Sequence, residues 1–344
     1  MIMERADLDF AHLPFAYRTT DANIRYWFRD GAWTEGELTS DETITLHMAS
    51  TCLHYGQEIF EGLKVFERPD GRIQTFRLGE NAKRFQRSAR KLLMEPVPED
   101  LFREAVHRVV RANRRFVPPY GSGASLYVRP LLLGASAEVG VKPSREYLFL
   151  VFVTPVGPYY KAGFEPVRLV VEEEIDRAAP GGVGDVKCGG NYAAGLRATV
   201  GAKDKGYSEV LYLDAREKKY IDESGSSNFY AVRDNTYITP SSPSILPSIT
   251  NMSVRQLARD MGLAVEQRPV SVDELGTFEE AGCLGTAAVI TPVESITYRG
   301  TEYVYGKRGE AGPVTTELYK RLTAIQWGEA EDPYGWTEII PEEG

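Results

Sequence analysis

The pattern of apolar positions along the chain predicts both strands and amphipathic helices. Short runs rich in β-branched and aromatic residues indicate strands, and apolar residues that recur with the helical period indicate helices. Strands are predicted at residues 25–28, 43–48, 125–134, 146–157, 167–174, 208–214, 218–224 and 228–240, with a hairpin at 63–78. Helices are predicted at residues 81–94, 99–116, 192–203 and 248–262. This mixture predicts an α+β protein.

The pattern is interrupted at residues 157–166, which divides the chain into two domains. This stretch, GPYYKAGFEP, contains two glycines and two prolines, and such residues are typical of turns and linkers between domains. We therefore predict a smaller N-terminal α/β domain at 1–156, an interdomain linker at 157–166 and a larger C-terminal domain at 167–344. A cleft between two domains is a common place for a ligand site.

The composition excludes several classes of function. With 344 residues, 42% of them hydrophobic, the chain can build the core of two domains. Its net charge of −9 argues against a nucleic-acid surface, which needs clustered Lys and Arg. The three cysteines and four histidines are too scattered for a disulfide framework or a metal site. No apolar run has the length of a signal peptide or a membrane span, so a cytoplasmic protein without membrane contact is expected.

The best candidate for chemistry is Lys187, in the glycine-rich stretch GGVGDVKCGGNYAAG. A lysine in such a loop is often only a solvated turn residue. Three features favour a reactive amine instead: small or apolar neighbours desolvate it, the glycines leave room for a planar group, and the following helix offers N–H groups to an anion. A nucleophilic lysine beside an anion site suggests pyridoxal phosphate, which a lysine holds as a Schiff base.

Pyridoxal phosphate requires further groups, and the sequence offers candidates for each. The ring nitrogen needs a carboxylate; Asp222 and Glu223 end a predicted strand, where alternation directs only one of them into a cleft. The phosphate needs a cation and backbone donors, which RFQRSARK at 84–91, LPSIT at 246–250 and TAAV at 286–289 could supply. Each of these stretches alone is equally consistent with an exposed helix face or an ordinary helix cap.

Together these stretches resemble the branched-chain amino-acid aminotransferases, pyridoxal phosphate enzymes of fold type IV. The resemblance extends over residues 15–336. Its marks are LHYGQEIFEGLKVF, AKRFQRSA, SLYVRPLLLG, TPVGPYY, the lysine loop, DESGSSNFY, ILPSIT, GTAAVITPV and the tail LYKRLTAIQWGEAEDPYGW. It implies a two-domain α+β fold of type IV, with the cofactor in the cleft between the domains and the Schiff-base lysine on the C-terminal domain.

The resemblance also implies the roles of the cofactor-binding residues. Lys187 matches the Schiff-base lysine, which moves the proton between the substrate α-carbon and the cofactor. Glu223 matches the carboxylate on the ring nitrogen, so that Asp222 points elsewhere. The other implied cofactor-binding residues are Arg84 for the phosphate, Tyr192 for the ring O3′, Ser226 near the ring, and Ile249, Thr250 and Thr286 in the phosphate cup.

On the substrate side, the resemblance implies an apolar pocket that binds an aliphatic side chain by area and shape. Arg129 would let the pocket accept the second carboxylate of glutamate, and the N–H groups of Thr286 and Ala287 would take the α-carboxylate. The implied pocket residues are Phe15, Tyr55, Phe60, Tyr127, Val141 and Tyr159. Val141 would reach the pocket of a partner subunit, which implies a homodimer or a higher homo-oligomer.

The sequence departs from the family pattern at a few positions. The redox CxxC that some members carry after the GTA motif is replaced by AVIT at 288–291, so thiol switching is not expected there. Ser248 stands where the family usually has glycine, and it must adopt the backbone conformation of that glycine. Asn251 replaces a residue that is often arginine and has no predicted role.

The expected activity is the reversible transamination of L-leucine, L-isoleucine and L-valine with 2-oxoglutarate, through the pyridoxamine form of the cofactor. D-amino-acid transamination and aminodeoxychorismate lysis remain as alternatives within fold type IV, and a non-catalytic pyridoxal phosphate-binding protein is an alternative of another class. The tyrosine-rich pocket and the C-terminal tail argue against the two other enzyme activities. The presence of both the cofactor-binding set and the substrate pocket argues against a non-catalytic protein.

Overall fold

The computed structural model describes residues 4–158 and 164–342, and the chain forms two compact units. The first unit contains Met1–Tyr159, Val186–Gly189 and Ala324–Gly344, and the second contains Tyr160–Asp185 and Gly190–Thr323. This grouping differs from the predicted domains, which placed Lys187 and the C-terminal tail with residues 167–344. Two contacts explain the difference. The Lys187 carbonyl accepts a hydrogen bond from the N–H of Phe60 in the first unit, and residues 337–339 of the tail add a strand to the sheet of that unit.

The first unit is built on a nine-stranded antiparallel sheet. Its strands are β1 (Asn23–Arg29), β2 (Ala32–Trp33), β3 (Glu37–Thr39), β4 (Glu58–Phe60), β5 (Leu63–Glu67), β6 (Ile73–Phe76), β7 (Ser125–Gly134), β8 (Tyr147–Val156) and the last strand of the chain, β18 (Thr337–Ile339). Their order is β18-β6-β5-β7-β8-β1-β2, with β3 beside β1 and β4 beside β7. The long, nearly continuous apolar runs of β7 and β8 are buried along the centre of the sheet, as their sequences predict.

The helices of the first unit bury one face each. They are α1 (Thr51–Tyr55), α2 (Leu78–Lys91) and α3 (Glu99–Ala112), with short 3₁₀ turns at Phe10–His12 and Arg114–Phe116. The rings of Phe85 on α2, Phe102 on α3 and Phe149 on β8 pack with centroids 5.4–6.0 Å apart. This aromatic contact fixes both helices on the sheet, because large buried rings contribute strongly to core stability.

The second unit is built on a mixed nine-stranded sheet. Its strands are β9 (Val167–Glu172), β10 (Glu209–Leu213), β11 (Ile221–Ser224), β12 (Asn228–Arg233), β13 (Thr236–Pro240), β14 (Ala264–Arg268), β15 (Glu280–Gly285), β16 (Val289–Tyr298) and β17 (Thr301–Val304). The order is β11-β10-β9-β16-β15-β12-β13-β14, and an additional pairing of β11 with β12 closes six of these strands into a ring. The remaining elements are α4 (Gly189–Asp204), α5 (Ile249–Asp260), a 3₁₀ helix at Val272–Thr277, and α6 (Pro313–Trp327).

The predicted strand at 43–48 is wrong, because these residues have no regular secondary structure. The alternation has a different cause: Ile44 and Leu46 pack against the apolar cluster of Leu133, Leu148 and Leu150. The carbonyl of Thr43 accepts a hydrogen bond from the Arg25 guanidinium at 2.9 Å instead of from a neighbouring strand. An apolar face alone therefore does not make this segment a strand.

Among the residues that the structure describes, 4–158 and 164–342, no helix is both long and apolar enough to cross a membrane.

Candidate active site

Lys187 lies in a short segment that the first unit holds through backbone hydrogen bonds. The N–H of Phe60 donates to the Lys187 carbonyl at 3.0 Å, and the N–H of Lys187 donates to Ser88 Oγ at 3.4 Å. The neighbours Val186 and Cys188 are buried, at 2% and 4% exposure, and Lys187 itself is half-buried. The segment is thus fixed by packing, which argues against Lys187 as a merely solvated turn residue.

The Lys187 side chain reaches a group of aromatic and cationic side chains in the same unit. Its Nζ lies 4.7 Å from the centroid of the Phe60 ring, and Cζ of Arg129 lies 4.8 Å from the same centroid. Arg129 Nη2 donates to the Tyr127 hydroxyl at 3.1 Å, and the Tyr127 ring meets Phe15 edge-on at 5.4 Å. We call these five residues the Phe60 cluster.

The register of β4, β5 and β7 explains why these side chains meet. Tyr127 and Arg129 lie two residues apart on β7 and so share one face of the sheet. Leu131 lies two residues further along β7 and so has the same orientation. Phe60 on β4 pairs with Leu131 and therefore lies on this face as well. A side chain at Gly62 would collide with the Tyr127 hydroxyl, so that glycine is required for the position of Tyr127.

The other predicted pocket residues, Tyr55, Val141 and Tyr159, are not members of the Phe60 cluster. Tyr55 is 39% exposed, and its hydroxyl donates to the carbonyl of Val139. Val141 is 84% exposed, on the same loop as Val139. Tyr159 lies outside the described residues.

Lys64 occupies the face that carries Tyr127, because the two residues are directly paired across β5 and β7. Its side chain is buried, and this burial lowers the pKa of Lys64 to about 8.

The wild type is expected to become more stable relative to a Lys64→Met variant as the pH rises from 7 to 10. Because the pKa of Lys64 in the folded protein is depressed below its ordinary value of 10.5, the unfolded chain binds more protons between pH 8 and 10.5. The free energy of unfolding of the wild type therefore rises with pH in this window, whereas the Lys64→Met variant lacks that rise. The difference in stability between the two proteins should change by at most about 3 kcal/mol across this window. Urea unfolding of both proteins at pH 7 and pH 10 measures this change, and a difference in stability that is independent of pH would contradict the assignment to Lys64.

Arg84 points from α2 to a buried carboxylate that the sequence patterns did not identify. Its Nε and Nη2 donate to the two oxygens of Glu61 at 2.6 and 2.7 Å, and Asn81 Nδ2 donates to Glu61 at 2.8 Å. Glu61 is completely buried. Burial raises the pKa of Glu61, but the charge and hydrogen bonds of Arg84, the charge of Lys187 and the Asn81 bond outweigh it and lower the pKa below its usual value.

In the second unit, Glu223 is buried on β11 and surrounded by donors. Arg177 Nη2 lies 2.7 Å from Glu223 Oε1, Asn228 Nδ2 donates to Oε2 at 2.7 Å, and the N–H of Leu246 donates to Oε1 at 3.2 Å. Such charge-assisted bonds favour an anionic carboxylate. Arg177 also donates to the carbonyls of Gly184 and Ser244, so it anchors the loop that precedes Lys187.

Asp222 is also buried, but alternation along β11 directs its side chain to the opposite face of the strand from Glu223. Burial raises the pKa of Asp222, and a hydrogen bond from Ser242 and the charge of Arg177 counteract this only in part.

The start of α5 presents backbone donors. Ile249 and Thr250 are its first residues, and the first N–H groups of a helix lack partners within the helix. Ser248 is the N-cap, with φ −81° and ψ 129°, and its side chain accepts from the N–H of Asn251 at 3.1 Å. This is an ordinary extended backbone, so serine needs no glycine conformation here. Asn251 accepts from the Tyr237 hydroxyl at 2.9 Å and donates to Thr239 Oγ1 at 2.8 Å.

Replacing Ser248 by alanine is expected to lower the free energy of unfolding by about 1 kcal/mol, because the side-chain cap of α5 is lost. Ser248→Gly is the matched variant and should cost only a few tenths of a kcal/mol, since glycine is tolerated at an N-cap. Chemical denaturation of the three proteins measures both. Equal losses for alanine and glycine would show that the hydroxyl is not the stabilising group.

The remaining predicted cofactor residues lie in turns and at a helix start of the second unit. Thr286 and Ala287 lie in the turn that joins β15 to β16, and this turn ends at Val289 with a φ of 56°. A positive φ is costly for a β-branched residue and is frequent at functional loops. Tyr192 lies in the first turn of α4 and is half-buried, whereas Ser226 is exposed between β11 and β12.

Comparison with known proteins identifies the family. The family described as amino-transferase class IV matches residues 58–296. The chain belongs to this family. The branched-chain-amino-acid aminotransferase of Haemophilus influenzae is 46% identical over 337 residues, which cover 96% of this chain and 98% of that protein. The protein of the same name from Helicobacter pylori is 45% identical and covers 96% of this chain and 97% of its own length.

Solved structures show the same fold. The Escherichia coli branched-chain amino acid aminotransferase has a TM-score of 0.80 at 29% identity and covers 93% of this chain and 100% of its own. The T.th. branched-chain amino acid aminotransferase complexed with N-(5′-phosphopyridoxyl)-L-glutamate has a TM-score of 0.76 at 29% identity and covers 94% of this chain and 100% of its own. The predicted family and the α+β class of fold type IV are confirmed by these similarities.

Three charged residues near the predicted site were missed: Glu58, Glu61 and Arg177. The sequence signal for the two glutamates is the presence of charged residues within the largely apolar stretch EIFEGLKVF. A charged residue in a stretch that is predicted to be buried is rare unless it is paired. The sequence could therefore indicate that each glutamate has a partner, but not which residue the partner is.

Proposed function

We propose that this protein catalyses the reversible transamination of L-leucine, L-isoleucine and L-valine with 2-oxoglutarate, giving branched 2-oxo acids and L-glutamate. The observation that carries the proposal is the Phe60 cluster, in which a half-buried amine and a guanidinium both lie against one aromatic ring. Such a surface offers apolar area to an aliphatic side chain and a cation to a second carboxylate. The similarity to branched-chain aminotransferases over nearly the whole chain supports the same reaction.

The cofactor of this reaction is pyridoxal 5′-phosphate, and the chain offers a group of suitable chemistry for each of its parts. When bound, this cofactor supplies an electron sink that makes the α-proton of an amino acid removable. Lys187 would hold it through its amine, Glu223 would meet the ring nitrogen, and Tyr192 would bond the ring O3′, with Ser226 nearby. The phosphate would bind to Arg84, to the N–H groups of Ile249 and Thr250 at the start of α5, and to Thr286.

The fit is supported by the surroundings of two of these groups. Glu223 is held by Arg177, Asn228 and a backbone N–H, donors that suit an anion able to pair with a protonated ring nitrogen. The start of α5 supplies backbone N–H groups, which together with the helix dipole favour a phosphate.

The chain's own residues would then perform binding, orientation and proton transfer. The N–H groups of Thr286 and Ala287 would take the α-carboxylate, and Lys187 would move the proton at the α-carbon. Phe15, Phe60 and Tyr127 would bury the aliphatic side chain, at about 0.8 kcal/mol per methylene group. Arg129 would bind the distal carboxylate when glutamate or 2-oxoglutarate occupies the site. Leucine, isoleucine and valine should therefore differ only modestly as substrates.

The remaining pocket residues, Tyr55, Val141 and Tyr159, are proposed to complete the aliphatic site. Val139 and Val141 are 88% and 84% exposed in the single chain, and exposed apolar side chains on one loop are typical of an interaction surface. We infer a homodimer or a higher homo-oligomer in which this loop serves the neighbouring subunit. The protein would act in the cytoplasm on small amino acids and 2-oxo acids, without nucleic acid or membrane partners.

The test is a product assay with the purified protein and added pyridoxal phosphate. L-Leucine with 2-oxoglutarate should yield equal amounts of L-glutamate and the branched 2-oxo acid, and the reverse reaction should proceed as well. D-Alanine with 2-oxoglutarate and aminodeoxychorismate alone are the matched controls for the other activities of fold type IV. Turnover of either control without turnover of L-leucine would overturn the substrate assignment.

A further inference from the structure

Glu58 stands beside the Phe60 cluster but has no part in the assignments above. It is the first residue of β4 and pairs with Leu133, while Phe60 pairs with Leu131. Because side chains alternate along a strand, the carboxylate of Glu58 lies on the face of the sheet that carries Phe60 and Arg129. The side chain is half-buried.

Glu58 supplies a cap to the helix that follows Lys187. Helix α4 begins at Gly189, whose N–H donates to the Glu58 carboxylate. The residue before it, Cys188, lacks the side-chain oxygen that an N-cap uses, so a carboxylate from β4 satisfies the helix start instead. A negative charge at this end of a helix is also favourable. A side chain at position 189 would collide with the Glu58 carboxylate, so this glycine allows the close approach.

Glu58 and Arg129 lie on the same face of the sheet. Burial raises the pKa of Glu58, while the Gly189 N–H and the charge of Arg129 lower it in part. An arginine in a site for aliphatic side chains is costly to bury unless an anion lies nearby. Glu58 is a carboxylate on this face that would supply such an anion when the substrate has no second carboxylate of its own.

We propose that Glu58 is a positioning residue with two effects: it fixes the segment of Lys187 by capping α4, and it provides the counter-charge that lets Arg129 tolerate an apolar substrate. It thereby sets the preference of the site between branched-chain and dicarboxylic substrates. This inference rests on the proposed function, because it assumes that one site binds both classes.

The two effects can be separated with two variants. Glu58→Gln keeps an oxygen for the Gly189 N–H but removes the charge, whereas Glu58→Ala removes both. In Glu58→Gln, the ratio of kcat/KM for L-glutamate to kcat/KM for L-leucine should rise about tenfold, because a negative charge near the distal carboxylate is removed. Glu37→Gln, at an exposed position on β3, is the matched control and should leave the ratio unchanged.

The capping effect is measured without any reaction, by hydrogen–deuterium exchange of the cofactor-free proteins. In Glu58→Ala the backbone amides at 187–192 should exchange about 2- to 30-fold faster than in the wild type, the range expected for the loss of an N-cap. Glu58→Gln should remain close to the wild type.

The outcomes distinguish the inference from the proposed function. If the wild type transaminates L-leucine and L-glutamate but Glu58→Gln keeps the wild-type ratio, the counter-charge role is overturned. If exchange at 187–192 is unchanged in Glu58→Ala, the capping role is overturned. If the wild type acts on neither amino acid, the proposed function itself has failed, while the exchange result still decides the capping role.

Discussion

The Lys187→Ala variant is expected to lose transamination of L-leucine with 2-oxoglutarate by about 10⁴-fold or more, because one amine holds the cofactor and moves the α-proton. Lys187→Arg should lose as much, since a guanidinium keeps the positive charge but is not a usable nucleophile. The measurement is kcat in a product assay with saturating pyridoxal phosphate.

Both variants should fold, which makes the loss interpretable. The segment of Lys187 is held by its backbone, through Phe60 and Ser88, and the side chain is only half-buried. Lys83→Ala, an exposed lysine on α2 whose side chain pairs with Glu80, is the matched control and should retain full activity. A Lys187→Ala variant with kcat near that of the wild type would refute the assigned role.

The Glu61→Gln variant is expected to lower the free energy of unfolding by about 3–5 kcal/mol, because it leaves the buried guanidinium of Arg84 without its counter-charge. The pair is among the least exposed in the described part of the chain, with 7% exposure for the Arg84 side chain and none for Glu61. Urea unfolding of the cofactor-free protein measures the loss separately from any effect on cofactor binding. Arg84→Met should lower the free energy of unfolding by a similar amount, because the buried Glu61 then lacks the positive charge of Arg84.

The double variant Glu61→Gln/Arg84→Met is the control. Its loss in the free energy of unfolding should be smaller than the sum of the losses in the single variants, because no charge of the pair is then buried without its counter-charge.

The pH dependence of the Glu61 contribution has a definite sign. The pKa of Glu61 is lowered in the folded protein, so its stabilising contribution is present above the ordinary value of 4.5 and is lost as the pH falls through the folded pKa. The difference between wild type and Glu61→Gln should therefore narrow in acid. Additive losses and a difference independent of pH would mean that the pair is not coupled.

Much of the fold could be predicted because local patterns and final burial agree. β7 and β8 are continuous apolar runs with the predicted bounds or nearly so, and they lie at the centre of a sheet. The segment 43–48 shows the limit of this reasoning, since its alternation is real but Arg25 takes the place of a strand partner. Strand β18 is too short and too polar to be recognised alone, and only its pairing with β6 defines it.

In the candidate site, too, the sequence could indicate some residues but not the contacts that they make. Lys187, Arg84 and Glu223 could be found because their local stretches are unusual and match a family pattern. Their partners could not be predicted, because each contact joins distant parts of the sequence. Glu61 is the partner of Arg84, and Arg177 is the partner of Glu223. The grouping of Lys187 with the first unit likewise depends on hydrogen bonds to Phe60 and Ser88, which are distant from it in the sequence. Ser248 shows the reverse case: a departure from the family pattern is satisfied locally by its own cap.

The proposed half-reaction of Lys187, the cofactor and L-leucine is tested by the visible absorption spectrum of the purified protein loaded with pyridoxal phosphate. The spectrum is recorded before and after excess L-leucine is added without any 2-oxo acid. We expect a yellow protein that bleaches with L-leucine and recovers its colour when 2-oxoglutarate is added. A yellow protein that is unchanged by L-leucine but bleaches with D-alanine would contradict the substrate assignment. A protein that cannot be loaded with the cofactor at all would contradict the role of Lys187.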